Sequence, residues 1–329
     1  MTISSMSLEN FTVFGSVKID FCDGINVFIG ENGTGKTHLL KILYAFCRCD
    51  TQTKNKSFDL SLSDCFQTSR ISNPVRRVNS ASVYPLNLSV TSTSGSVGFE
   101  IPSNDQFLAS VSGIKQVIPA IYIPAKDMLT HSGLEKDYID RNLPFDITLI
   151  DILNKAGVST VKKLPTDRLM ILDKIAHVID GKITYKNDRY YTERSDGTLI
   201  DFAAEAEGFK KLGLLYRLIE TGRLEKNSVL IWDEPEANLN PKLIPNLVDV
   251  ILSLERAGVQ MFFATHDYFF AKFLETRKNK DNNVMYHALY KKENEVLHES
   301  EETFELLENN SIIEQSIDLY KEEVRKVME

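Results

Sequence analysis

The sequence predicts an α/β protein in which a mainly parallel sheet is covered by helices, and three observations carry that expectation. A compact β-branched run, Ile25–Ile29, passes through a glycine-rich loop into His38–Phe46 (HLLKILYAF), whose apolar residues recur at helical spacing. Two more apolar runs, Ser228–Trp232 and Val259–Thr265, are each followed by a helical pattern, Pro241–Arg256 and Asp267–Arg277. Strand alternating with helix is the pattern of parallel strands buried on both faces. The 329 residues provide for roughly two domains, or one large α/β domain with an elaborated lobe.

Taken in order, Leu8 to Ile29 reads as two short strands, Phe11–Ile19 and Ile25–Ile29, on either side of the turn residues Asp23-Gly24. From Asp50 to about Ser112 the composition shifts to Ser, Thr and Asn, with alternating stretches at Val83–Val90 and Gly95–Ile101, which predicts an antiparallel β elaboration with mobile loops. Val117–Pro124 reads as a buried strand ended by proline, with Lys126 and Asp127 where it gives way to a loop. Leu149–Ala156 and Arg168–Ile179 have helical periodicity, and Ile183–Tyr191 with Leu199–Phe202 around Asp196-Gly197 reads as strand and hairpin. A helix over Glu207–Thr221 leads into the Ser228 strand. Met285–Lys291 and Asn294–His298 predict a terminal hairpin, and Ser311–Val327 an amphipathic helix. The expected division is an N-terminal core part over 1–135, an inserted helical and hairpin lobe over 136–205, and a C-terminal core part over 206–329.

Composition excludes several classes. Hydrophobic residues at 43% and charged residues at 26% are those of a globular chain, which rules out global disorder or a fibrous repeat. A net charge of −8 argues against a protein that coats nucleic acid, so any direct contact with it must be a local patch. Lys210, Lys211, Lys272, Arg277, Lys278 and Lys280 are candidates for such a patch, but a charge run is first read as a solvated face. No apolar stretch approaches a membrane span and Met1–Asn10 has no signal-peptide pattern, so a cytoplasmic protein without a membrane partner is expected. Cys22, Cys47, Cys49 and Cys65 lack paired Cys-x-x-Cys spacing and read as reduced, mostly buried thiols; a zinc set of Cys47, Cys49 and Cys65 would lack a fourth ligand.

The chemistry is concentrated in three places. Gly30-Glu31-Asn32-Gly33-Thr34-Gly35-Lys36-Thr37 fits G-x-x-x-x-G-K-[ST] between a strand and a helix. Glycines there let backbone N–H groups converge on phosphate oxygens, the helix N-terminus adds partial positive charge, Lys36 neutralises the terminal phosphates, and the Thr37 hydroxyl can ligate Mg²⁺. The expected nucleotide contacts run from Gly30 through His38, the last being a first-turn helix residue. Leu230–Trp232 is an apolar strand that ends in Asp233-Glu234-Pro235, which assigns Asp233 to the metal and Glu234 to the base that polarises water. Met261–Thr265 ends in His266, placed to sense the γ-phosphate, whereas His131, His177, His287 and His298 have no constellation around them in the sequence.

Together these residues resemble the ABC-type ATPase heads of the SMC, RecF and OLD families, also grouped among AAA-type core ATPases of bacterial defence. Leu8-Glu9-Asn10-Phe11 with Gly24–Gly33 is similar to that group's opening, Asp233–Pro241 to its Walker B and D-loop, and His266 to its switch histidine. Tyr122–Asp127 and Ile312–Glu323 resemble stand-alone defence-associated members. The resemblance implies a P-loop NTPase fold of ABC-head type that binds ATP and Mg²⁺ and forms a homodimer on ATP binding, each phosphate loop being closed over by the other subunit's signature loop. That loop corresponds to Glu205–Phe209; Gly208 is kept, Ala206 stands where a phosphate-binding Ser is expected, and Asn238 of the D-loop joins the nucleotide contacts. Loss of that hydroxyl would cost about 1.5–3 kcal/mol of phosphate binding, enough to slow turnover.

No Q-loop glutamine stands out among Gln52, Gln67, Gln106 and Gln116. The chain has no long heptads for SMC arms, no membrane domain, and too few residues after its last helix for an OLD-type nuclease. The expectation is therefore an ATP-hydrolysing switch controlling a separately encoded effector, a nuclease or toxin, in anti-phage defence. Alternatives are a non-hydrolysing ATP-binding scaffold and a RecF-like DNA-repair ATPase. A P-loop kinase or GTPase is more remote, because Asn279-Lys280-Asp281 lies in a polar loop with no apolar strand leading into it.

Overall fold

The computed structural model of the chain describes residues 1–52, 57–68, 74–79, 81–103, 108–112, 116–126, 128–131, 138, 145–186, 189–293 and 295–328. The N-terminal part runs β1 (Ile3–Phe11), β2 (Phe14–Asp20), β3 (Ile25–Gly30), α1 (Lys36–Arg48), α2 (Phe58–Phe66), the short pair β4 (Arg77–Val78) and β5 (Ala81–Ser82), then β6 (Leu86–Ser92), β7 (Gly95–Ile101), β8 (Leu108–Ser112) and β9 (Ala120–Ile123). The middle holds α3 (Ile147–Ala156), α4 (Thr166–Val178), β10 (Gly181–Lys186), β11 (Arg189–Arg194) and β12 (Leu199–Asp201). The remainder is α5 (Glu207–Glu220), β13 (Val229–Asp233), α6 (Ile244–Arg256), β14 (Gln260–Ala264), α7 (Tyr268–Arg277), β15 (Val284–Lys292), β16 (Glu295–Glu301) and α8 (Ser311–Met328).

Six strands form the central sheet in the order β16-β15-β3-β14-β13-β9. Every neighbouring pair except β15·β16 is parallel, as the alternation of apolar strand and helix predicts. Both faces are covered, and the strands' two-residue period divides them between two cores. Ile25, Val27, Ile29, Leu230, Trp232, Met261 and Phe263 face α5, α6 and the middle segment. Phe28, Val229, Ile231, Phe262 and Ala264 face α1 and the second, antiparallel sheet β2-β1-β6-β7-β8. Buried Gln260 joins the two sheets: its Nε2 donates to Ile3 O and Cys22 O, both at 2.8 Å, and its Oε1 accepts from Ile3 N.

Several expectations need correction. The opening segment contains three strands, not two, because Ile3–Phe11 forms a full strand paired with both β2 and β6. Its outward positions carry Ser, Glu and Asn, which hid the alternation. Helix α2 lies where β structure was expected; DLSLS alternates like a strand, but Phe58, Leu62 and Cys65 make a buried helical stripe. Ile183–Tyr191 is not one strand but parts of β10 and β11, paired Tyr185↔Tyr190, with the Asp196-Gly197 turn leading to β12. Pro241–Leu243 is a separate 3₁₀ turn before α6. Asp127, Gln106 and Asn294 lie outside the described residues. The thiols are free, with Cys47, Cys49 and Cys65 buried and Cys22 pushed up to about 12 by burial.

Two further corrections concern charged and titratable side chains. Lys210 and Lys211 are buried, not solvated, whereas Lys272, Arg277 and Lys278 pair with Glu305, Asp249 and Glu275 on the surface. His287 and His298 do have a constellation. His287 Nδ1 lies 3.2 Å from His298 Nε2 and 2.9 Å from Ser300 Oγ, and its Nε2 lies 3.2 Å from Asn26 Oδ1. Asn26 Nδ2 donates to Cys22 O and Met261 O, so its Oδ1 faces His287 and fixes the Nε2–H tautomer there. Burial holds both rings neutral, with His298 lowered to about 4. The antiparallel register His287↔Ser300 creates this cluster, and residues 11 positions apart gave no local signal.

Candidate nucleotide-binding site

The phosphate loop leaves β3 at the C-terminal edge of the parallel sheet, the edge where ligands bind in such folds. Gly30 (φ 146°) and Gly35 (φ 92°) both have backbones that an L side chain rarely adopts. A Cβ on Gly30 would stand 2.2 Å from Leu289 O of β15, and one on Gly35 would stand 2.5 Å from Phe14 Cζ of β2. The loop is therefore clamped between the central sheet and the N-terminal hairpin. Thr34 is fully buried and donates to Glu31 O at 2.8 Å, closing the loop on itself. Helix α1 begins at Lys36 with no acidic residue in its first turn, so its positive end stays unneutralised.

Lys36 Nζ donates to Gly30 O at 2.6 Å and Glu31 O at 3.0 Å. Burial lowers its pKa, while Asp233, Glu234, Glu236 and Glu31 act in the opposite direction. Thr37 Oγ1 donates to Asp233 Oδ2 at 2.8 Å, joining positions 196 residues apart. Asp233 ends β13 beside β14 and is raised by burial, partly offset by the Thr37 bond and the nearby Lys36.

Glu234 follows with φ 51°, an uncommon left-handed conformation for a side-chain-bearing residue, and its N–H donates to Ala264 O at 2.9 Å. The half-exposed Glu234 Oε1 lies 3.5 Å from His266 Nδ1, which enters from the end of β14. Lys36, Thr37, Asp233, Glu234 and His266 thus converge, as the motif spacing predicts. His38 is placed differently from its neighbours: its Nδ1 lies 3.0 Å from Thr12 Oγ1, its ring lies against Phe66, and burial lowers its pKa.

Three supports of this site are not marked as such in the sequence. Lys211 Nζ donates to Glu234 O at 2.8 Å and Pro235 O at 3.4 Å, so α5 holds the bend carrying the two acids. Helix α5 is buried almost all round, which removed the amphipathic contrast that would have marked Lys211. Buried Thr265 donates to Glu236 Oε1 at 2.7 Å and accepts from Asp267 N at 3.0 Å, tying the bend after β13 to the end of β14. Phe14 and Val13 form the wall behind Gly35.

In the segment expected to be a signature loop, Ala206 is exposed at the N-terminus of α5 and caps it with no side-chain bond. Gly208 is buried, and a Cβ there would stand 3.1 Å from Leu239 and 3.2 Å from Leu243, so this glycine allows the segment after Glu236 to pack against α5. Asn238 is exposed at φ 62°. Among the glutamine candidates, Gln52 follows the far end of α1, Gln67 caps α2 in a left-handed conformation, and Gln116 is exposed before β9.

A family profile described as the AAA ATPase domain matches residues 1–195, more than half of the chain. The chain belongs to the AAA ATPase domain family. A second AAA profile, described with the AbiEii toxin and the Type IV TA system, matches residues 120–271 of this AAA ATPase chain. The DNA replication and repair protein RecF of Pediococcus pentosaceus is 32% identical over 89 residues, 27% of this chain and 24% of that protein. RecF of Streptococcus uberis is 46% identical over 44 residues, 13% of this chain and 12% of RecF. The AAA ATPase chain thus matches a quarter or less of the length of these relatives. The SMC head domain from Thermotoga maritima superposes with a TM-score of 0.56 at 11% identity, covering 91% of this chain and 98% of that one. An Smc head with an extended coiled coil from Pyrococcus furiosus, bound to the C-terminal domain of ScpA, gives 0.59 at 11%, covering 98% and 99%. The fold of this AAA-family chain is that of an ABC-type head, as in these SMC head domains.

Proposed function

We propose that the chain binds ATP with Mg²⁺ on Gly30–Thr37 and Asp233, hydrolyses it with Glu234 and His266, and closes into a homodimer over it. In this reading closure controls a separately encoded effector, a nuclease or toxin of anti-phage defence acting in the cytoplasm. The observation that carries the reading is the 2.8 Å bond from Thr37 Oγ1 to Asp233 Oδ2, which sets a hydroxyl and a carboxylate together beside the Lys36 ammonium. Hydroxyl and carboxylate oxygens are the hard donors that Mg²⁺ prefers, and along Gly33, where phosphate would lie, the side-chain atom that a Cβ would meet is the Lys291 ammonium, at 3.5 Å. When bound, ATP and its metal supply the terminal phosphoryl group and the charge that draws water toward it. Lys36 would exchange its two carbonyl partners for phosphate oxygens. Glu234 takes a proton from water as general base, and His266, 3.5 Å away, orients that carboxylate.

The test is light-scattering mass with ATP and Mg²⁺ on the wild type and on Glu234→Gln, with phosphate release measured in parallel. The variant is expected to double in mass with ATP and to lose turnover. A variant whose mass stays constant removes the switch. The second reading, a scaffold that holds ATP without turning it over, is favoured by Ala206, which presents no hydroxyl at the exposed start of α5. Multiple-turnover phosphate release that disappears in Lys36→Ala excludes it. A RecF-like role acting directly on DNA requires stimulation by DNA that fades with rising salt.

A further inference from the structure

The opposite end of α1 from the phosphate loop borders a cavity of about 300 Å³ that the nucleotide chemistry does not use. Its rim carries three cationic side chains from three elements: Arg48 at the end of α1, Lys155 of α3, and Arg223 in the loop after α5. Tyr44 and the strip 117–121 leading into β9 give it an apolar wall. The carboxylate inside the cluster is Asp151, which accepts from Tyr44 Oη at 2.8 Å and pairs with Arg48. Asp64, 3.6 Å from Arg48, is more than half exposed. Among the described residues, three cations thus face two carboxylates around a partly enclosed, half-apolar space.

Arg48 keeps one donor to spare, and Lys155 is held mainly by neutral oxygens. Arg48 Nε is buried and finds no hydrogen-bond partner among the described residues. Lys155 Nζ is held by Ala120 O at 2.9 Å and by Tyr44 Oη, while Asp151 Oδ2 stands 3.9 Å away. Burial lowers Lys155 to about 8, against the pull of Asp151 from its own helix and Cys47 of α1, and with repulsion from Arg48 and Arg223. An anion entering the cavity would restore the lysine's full charge. Arg223 is exposed, so a ligand reaches the cluster from solvent without a change of fold.

We propose that this cavity is a second ligand site, selective for a small phosphomonoester with an apolar, ring-sized body, whose phosphoryl group is held by Arg48, Lys155 and Arg223 while its body lies on Tyr44 and the 117–121 strip. Guanidinium groups suit bidentate contact with phosphoryl oxygens, and the volume is at the lower end of small-molecule pockets. The site is distinct from the phosphate loop, since 13-residue α1 separates the two by about 18 Å along its axis. A ligand here would act on nucleotide binding only through that helix.

The experiment is calorimetric titration of the full chain carrying Lys36→Ala, which removes the phosphate-loop lysine, with phenyl phosphate as the probe. One-to-one binding is expected, weakened at least about tenfold by Arg223→Glu and by Lys155→Met. Binding should also weaken as pH rises through about 8, where Lys155 loses its proton. Benzamidine, which has the same ring with a positive charge, should not bind. Equal affinity in Arg223→Glu, binding of benzamidine as tight as that of phenyl phosphate, or no binding of phenyl phosphate each overturns the proposal. Because the probe is read in the Lys36→Ala background, its failure leaves ATP binding by the wild type untouched, and the reverse also holds.

Discussion

Lys211→Met tests whether a buried lysine of α5 positions the two acids of the nucleotide site. Methionine keeps the aliphatic stem and deletes the ammonium that binds Glu234 O at 2.8 Å and Pro235 O at 3.4 Å. A hydrogen bond to a charged group contributes about 1.5–3 kcal/mol, and the longer contact adds little. The variant recovers part of the cost of burying a charge, so the net destabilisation should be about 1–2 kcal/mol. At roughly 2–4 °C per kcal/mol for a large domain, Tm should fall by about 2–8 °C. The functional effect should be larger than the thermal one, because Glu234 is held at φ 51° and such a conformation persists only where its surroundings enforce it. Nucleotide affinity, which depends on Lys36 and the loop, should change less than about threefold, while phosphate release falls at least about tenfold. Thermal melting, nucleotide titration and phosphate release on one preparation separate these effects. Unchanged turnover with lowered Tm would show that Lys211 is a packing residue, and unchanged values of both would refute the reasoning altogether.

Gly35→Ala should lose nucleotide binding while the chain still folds, because its Cβ would lie 2.5 Å from Phe14 Cζ at a backbone with φ 92°; binding of a fluorescent ATP analogue reports it. Thr265→Val removes the bond to Glu236 and leaves a buried carboxylate without that donor, which should cost about 2–3 kcal/mol in urea unfolding. Glu236 has a carboxyl raised above 4.5 by burial, so the stability it contributes in its protonated form is present below that pH and lost as pH rises through the folded value. Glu236→Gln should therefore be the more stable form at neutral pH, with the difference shrinking toward pH 4.5; parallel melts across that range check it.

Much of the candidate nucleotide site can be read in the sequence because its elements are local. A strand, eight residues from Gly30 to Thr37 and a helix must adjoin in the chain for the loop to form, so spacing alone marks them. Asp233, Glu234 and His266 were legible for a related reason: each ends an apolar run, and parallel strands bring such ends to one edge. Helix α2 and strand β1 were not legible, the first because its polar residues alternate like a strand, the second because its outward face is polar. The basic character assigned to Lys210 and Lys211 failed because α5 is buried on nearly every side, and a lysine inside it finds backbone carbonyls instead of water.

By itself, then, the sequence determined the parallel-sheet class, and it marked Gly30–Thr37 as a candidate phosphate loop and Asp233 and Glu234 as candidate acids, all features of short segments whose neighbours in the chain are their neighbours in space. Only the tertiary structure decided which groups support them. Thr37 meets Asp233 across 196 residues, Thr265 meets Glu236 across 29, and His287 meets His298 through strand register. Arg48, Lys155 and Arg223 likewise come to one cavity from three elements. Such contacts depend on the order of strands in the sheet and on which face each helix covers. These follow from burying two cores at once, a requirement of the whole chain that no short window of residues contains.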